Sequence, residues 1–150
     1  MNKKSTKVNL KYLLFLPLLI YFGKRSLIAY DEGFYALQAR WIIEKSNWIG
    51  PMWWDEVISD RTIGIQFLIA LSKKFFGNSI FVIYIPSLFA AILMIYCTYQ
   101  LHKELINDKK QIYSALILSS TFLWINYAHM ATQDIVFSSL VSLGLISTIK

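Results

Sequence analysis

Residues 79 to 101, SIFVIYIPSLFAAILMIYCTYQL, carry no charged side chain across 23 positions. A helix of that length rises about 35 Å at 1.5 Å per residue, enough for a hydrocarbon core of about 30 Å. A membrane protein is therefore the first reading. Composition agrees: 56% of the 150 residues are hydrophobic and 16% aromatic, and mean hydropathy is +0.47. The net charge of +6 forms no stripe and no recognition motif. Its lysines serve as topology determinants, and no nucleic-acid partner is expected. The lone Cys97 allows no internal disulfide and reads as a small buried hydrophobe within the apolar run.

Residues 111 to 128 and 135 to 149 are also uncharged and predict two further spans. The serines and glycine of the last suit close helix packing in lipid. A first span at about 10 to 23 extends to about 29 if Lys24 and Arg25 snorkel. The basic start followed by an apolar run resembles a signal peptide. It lacks a small-x-small cleavage site and is expected to stay as an uncleaved anchor. The fold class expected is all-α: a polytopic membrane protein of about four transmembrane helices, at about 10–29, 79–101, 111–128 and 135–149. Amphipathic juxtamembrane helices occupy its first outer loop, 30–78.

Lys3, Lys4, Lys7 and Lys11 precede the first span, and Lys103, Lys109 and Lys110 separate the second from the third. Both groups are expected on the cytoplasmic side. Residues 24 to 78 and the connection 129 to 134 then face outward, and six of the nine acidic residues fall in the former. Within that loop Phe34, Leu37, Trp41 and Ile42 recur at helical spacing, predicting an amphipathic helix over 33–45. Gly50 and Pro51 end it. A second amphipathic stretch runs from Ile63 to a stop at Gly77. Trp48, Trp53 and Trp54 suit the headgroup level.

Ionisable groups near a bilayer need either a structural partner or a function. Asp31 and Glu32 open the first amphipathic helix, where carboxylates meet the helix dipole favourably by about 0.3 to 1 kcal/mol. Asp134 has a similar structural explanation, with Thr132 as N-cap. The functional alternative is that Asp31 and Asp134, on one membrane face at helix starts, converge on one cavity. His102 and His129 fall on opposite faces, so a histidine metal site is not expected. A divalent cation held by Asp31, Asp134 and phosphate oxygens fits the residue types, and nothing in the sequence requires one. No phosphate-binding glycine loop or nucleophile elbow is present.

The stretch YDEGFYALQARWIIEKSNWIGP resembles the first outer loop of GT-C membrane glycosyltransferases. The group concerned contains the aminoarabinose lipid A transferases and the dolichyl-phosphate-mannose protein mannosyltransferases. Matching positions are Asp31, Glu32, Tyr35, Arg40, Trp48 and Pro51, followed in order by LIALSKKFFG, IPSLFAAIL and HMATQDIVFSSLVSLGL with Asp134. Two positions depart from the pattern. Where the family has an acid followed by Lys-Pro, Asp60 and Arg61 match in charge and Thr62 replaces the proline; Phe34 replaces an arginine frequent in the lipid A branch.

The resemblance implies transfer of a sugar from a polyprenyl-phosphate carrier to a hydroxyl of a lipid, glycan or protein acceptor. The reaction would take place at the outer face of the cell membrane. Asp31 would be the general base and Asp134 would position it or help hold a cation. Arg61, with Arg40 in reserve, would neutralise the departing phosphate, and Glu32, Tyr35 and Asp60 complete the substrate-binding set. Family members have more spans, so an N-terminal portion of a longer enzyme is expected. The competing reading is a non-catalytic polytopic membrane protein, a truncated transferase or a lipid- or partner-binding module. A transporter is disfavoured, because the three best spans hold no acid near the midplane.

Overall fold

The computed structural model describes residues 14–19, 26–50, 52–54, 56–57, 62–106 and 109–149. Among them a 3-10 turn, Leu16–Leu19, is followed by helix α1 (Glu32–Glu44) and a minimal hairpin, β1 (Met52–Trp53) and β2 (Glu56–Val57). Six more helices follow: α2 (Gly64–Phe76), α3 (Ile80–Ile83), α4 (Ile85–Ile106), α5 (Gln111–Ser120), α6 (Phe122–Ala128) and α7 (Gln133–Ile149). The class is all-α apart from the two-residue strands.

The outer loop folds around a core of its own. On α1 the buried face is Tyr35, Ala36, Ala39 and Ile42, which meets Ile65, Ile69 and Ala70 of α2, with Ile83, Tyr84 and Ala131 closing the cluster. This stripe lies to one side of the anticipated one. Phe34 and Trp41 instead pack on the hairpin, whose strands pair Met52 with Val57 and Trp53 with Glu56. A Cβ on Gly50 would lie 3.0 Å from Val57 Cγ1, so a larger residue here requires the Val57 side chain to shift. Helix α2 ends at Gly77, φ 87, as its sequence predicts.

The second core joins α4 to α5, α6 and α7 through Ala90, Ala91, Ile95, Ala115, Trp124, Ala128 and Ile135. Small residues let these helices approach closely. The opposite surface is greasy: Phe89 and Tyr96 of α4, Ile117 of α5, and Phe137 and Leu140 of α7 are exposed. Such a surface is what lipid contact requires and what water disfavours.

The spans differ from their sequence outlines. The run from 79 is interrupted at Tyr84, because Pro86 has no N–H to give Val82 and its ring crowds that carbonyl. It then continues as α4 to Ile106, past the expected end at 101. The run 111 to 128 is two helices, not one. Ser119, Ser120 and Thr121 turn their hydroxyls back on the carbonyls of Leu116, Ile117 and Leu118 at 2.8 to 3.1 Å, and Thr121 adopts an extended conformation. Consecutive back-bonding hydroxyls compete with the helix ladder. Among the described residues one helix, α4, is long and apolar enough to cross a bilayer, or two if α6 and α7 count as one span bent by 111°. Half of the first expected span, 10–29, including Lys24 and Arg25, lies outside the described residues.

Glu32 ties the start of α1 to the connection between α6 and α7. Its side chain is 0% exposed. One oxygen accepts the Ile28 N–H at 2.8 Å, reaching back over the turn that starts α1. The other accepts the Ala131 N–H at 2.8 Å, from the connection between α6 and α7. A buried carboxylate is tolerated only with its oxygens satisfied, so this bridge fixes how the outer layer sits on the helices below.

Two stability outcomes follow in detergent unfolding. Glu32→Ala strands two backbone donors at about 1 to 3 kcal/mol each, about 2 to 6 in total, while Glu32→Gln keeps one acceptor and falls between it and the parent. An alanine variant as stable as the parent contradicts the bridge. Ile69→Ala costs about 2 to 5 kcal/mol, whereas Phe89→Ala, on the exposed side of α4, changes stability by about 0.5 kcal/mol or less.

Candidate functional site

Asp31 is exposed at the threshold of α1, and it makes no side-chain capping bond there. Its carboxylate is thus not engaged in the capping role that the sequence alone would allow. The residue before it, Tyr30, is held at φ 71 and is 91% exposed. A left-handed conformation at a non-glycine residue costs about 1 to 3 kcal/mol and persists only where its surroundings impose it. The surroundings are on hand: Ile28 gives its N–H to Glu32 and accepts the Gly33 N–H at 3.0 Å. The turn carrying Asp31 is thereby closed from both ends.

Asp134 is the second residue of α7 and is also exposed. It lines a cavity of about 220 Å³ with Met94, Thr121, Trp124, Tyr127 and Ser138. The proposed N-cap is not made, since Thr132 is buried with its hydroxyl oxygen unpartnered. The wall of this cavity includes Asp134 and not Asp31. The Glu32 bridge links the residue after Asp31 to the backbone three residues before Asp134.

The remaining site residues separate. Tyr35 is a core residue between α1 and α2. Arg40 is exposed, and its Nε lies 2.6 Å from Glu44 Oε1, one helical turn on. It faces a second cavity, of about 390 Å³, with Ile43, Glu44, Lys73 and Asn78. Asp60, Arg61 and Pro51 lie outside the described residues. Phe34, which stands in for the arginine of the lipid A branch, stacks on Trp53 at 4.6 Å, and Trp41 meets Trp53 and Trp54 at 5.6 and 6.1 Å. The arginine's place is taken by an aromatic platform. Trp48 stands apart, edge-on to Phe67 at 5.6 Å.

Each histidine ring makes a contact within its own neighbourhood. His102 Nδ1 is 2.6 Å from Ser114 Oγ, between α4 and α5, and His129 Nδ1 is 2.6 Å from the Ile125 carbonyl. Among the described residues no three His, Cys, Asp or Glu side chains cluster at metal-binding distance.

Reasoning from sequence missed two features. Glu32 was separable from Asp31 by its backbone reach of four residues to Ile28, a capping habit legible locally; its bond to Ala131, 99 residues away, had no local signal. The second is Lys73 in the last turn of α2, to which the sequence reading gave no role.

The family described as dolichyl-phosphate-mannose-protein mannosyltransferase matches residues 60–150, which include Asp134 and begin beyond the Asp31 and Glu32 pair. No curated protein and no solved structure matches the chain. Members of that family are membrane glycosyltransferases of GT-C type, in keeping with the apolar α4 and the lipid-suited outer surface of the bundle. With more than half of its length matched, the chain belongs to the dolichyl-phosphate-mannose-protein mannosyltransferase family.

Proposed function

We propose that this glycosyltransferase moves a sugar from a polyprenyl-phosphate carrier to an acceptor hydroxyl at the outer face of the cell membrane. The observation that carries the reading is the Glu32 bridge, which holds the Asp31 turn against the backbone leading into Asp134.

In this reading Asp31 takes the proton of the acceptor hydroxyl as its oxygen attacks the anomeric carbon. The bond from that carbon to the carrier phosphate breaks, and configuration inverts. A positioned carboxylate in hydrogen-bond reach contributes about 10² to 10⁴-fold to such a step. Arg61, with Arg40 in reserve, receives the negative charge of the departing phosphate, a role that suits a planar guanidinium. Asp134 orients Asp31 or shares a divalent cation with it. Asp60 and Tyr35 support the donor side, Tyr35 through packing.

The carrier's chain has a place to lie. A groove of about 430 Å³ runs between α2, α4 and α7, lined by Leu68, Phe75, Pro86, Phe89, Leu93 and Leu140. Its apolar wall lets an isoprenoid stay in the bilayer while its phosphate reaches the outer layer.

Fused to the remaining spans of a full-length family member and supplied with a polyprenyl-phosphate sugar, the Asp31→Asn variant is expected to lose about 10² to 10⁴-fold in transfer rate. Because Asp31 is exposed, its abundance in the membrane stays unchanged. Equal transfer by variant and parent removes Asp31 as the base. Independently, a topology reporter joined after Asn78 is expected outside the cytoplasm, and a cytoplasmic reporter overturns the outward site.

A further inference from the structure

The last turn of α2 puts two adjacent lysines to different uses. Lys74 Nζ lies 5.3 Å from the centroid of the Trp48 ring, a cation–π contact. Lys73, one step round the helix, faces the cavity shared with Arg40, Ile43, Glu44 and Asn78. Among the described residues the one carboxylate lining it, Glu44, is committed to Arg40 at 2.6 Å. Two cations therefore face one anion, and Lys73 supplies the surplus positive charge. Burial first, and then the charge of Arg40, hold the Lys73 amine below the ordinary lysine pKa, with Glu44 opposing them. An anion entering the cavity relieves that strain.

Next to this cavity the chain exposes apolar side chains that water does not favour. Phe75 is 73% exposed and Phe76 66%. After the turn through Gly77 and Asn78, Ile80 and Phe81 are exposed as well. From 73 to 81 the order is cations, aromatics, an amide-bearing turn and apolar residues again. A charged pocket bordered by exposed phenylalanines matches the bilayer interface, where phosphates sit directly above acyl chains.

We propose that Arg40, Lys73 and Asn78 form a site for the phosphate headgroup of an anionic phospholipid of the surrounding bilayer, with Phe75, Phe76, Ile80 and Phe81 among its acyl chains. The guanidinium offers paired donors to phosphate oxygens, Lys73 offers a point charge, and the Asn78 amide a neutral donor. The site requires no transfer chemistry; it borders the carrier groove, whose wall includes Phe75 and Phe76, and uses Arg40, which the proposed reaction holds only in reserve behind Arg61. Its effect is to pin the α2 end of the outer layer to the membrane surface.

The test is lipid retention by the protein released from mixed micelles, read by native mass spectrometry with phosphatidylglycerol against phosphatidylcholine. The parent is expected to retain phosphatidylglycerol preferentially, and Lys73→Gln to weaken that retention about fivefold. Lys73→Arg keeps it, and Lys103→Gln, at the far end of α4, leaves it unchanged. Millimolar inorganic phosphate does not displace the lipid. On the unmutated protein, the pKa of isotopically dimethylated Lys73 rises when phosphatidylglycerol is added. Equal retention by parent and Lys73→Gln overturns the proposal, as does an unmoved Lys73 pKa. Full displacement by inorganic phosphate reduces it to a site for free phosphate and overturns the lipid assignment.

Discussion

Glu32 occupies a position from which water is fully excluded, and it does so because each carboxylate oxygen accepts a backbone N–H. The two donors lie far apart in the sequence. Ile28 belongs to the turn that carries Asp31, and Ala131 to the short connection that leads into Asp134. Loss of this carboxylate leaves two backbone donors without this acceptor and removes a direct bond between the start of α1 and the connection before α7. The placement of the α1 and α2 layer depends on it, and so does any cooperation between the exposed acids.

Above the bridge the layer is built like a soluble fragment. Ile42 and Ile69 are wholly buried in a core shared by α1 and α2, and the hairpin closes over Phe34 and Trp41. Below it the logic reverses. Small residues face inward among α4, α5, α6 and α7, while large apolar ones face out. That inversion is what a lipid solvent permits, since burial inside the bundle gains little hydrophobic energy over contact with lipid chains. The family match over 60–150 covers this lower part and α2.

The elements legible in the sequence were those set by local physics. Helices α1 and α2 follow from spacing and from the Gly77 stop, and α4 from an uncharged run of sufficient length. The break at Thr121 was equally local, written in three consecutive hydroxyl residues, but hydropathy alone passes over it because Ser and Thr cost little in an apolar window. What could not be read was long-range. Of the expected stripe Phe34, Leu37, Trp41 and Ile42, Ile42 does join the contact with α2, beside Tyr35 and Ala39, while Phe34 and Trp41 pack on the hairpin. Tyr35 matched a family position and turned out to pack. Glu32 looked interchangeable with Asp31 until Ala131 came into reach.

The central claim is that Asp31 and Asp134 stand open on one side of the membrane, held there through Glu32. It is tested most directly by single cysteines at positions 31 and 134, in a chain whose buried Cys97 is replaced by serine, probed in intact cells with a membrane-impermeant thiol reagent. Both positions are expected to label from outside, and the added mutation Glu32→Ala to change the labelling rate of both together. Labelling of the two from opposite sides, or a Glu32→Ala variant that leaves both rates unmoved, contradicts the account.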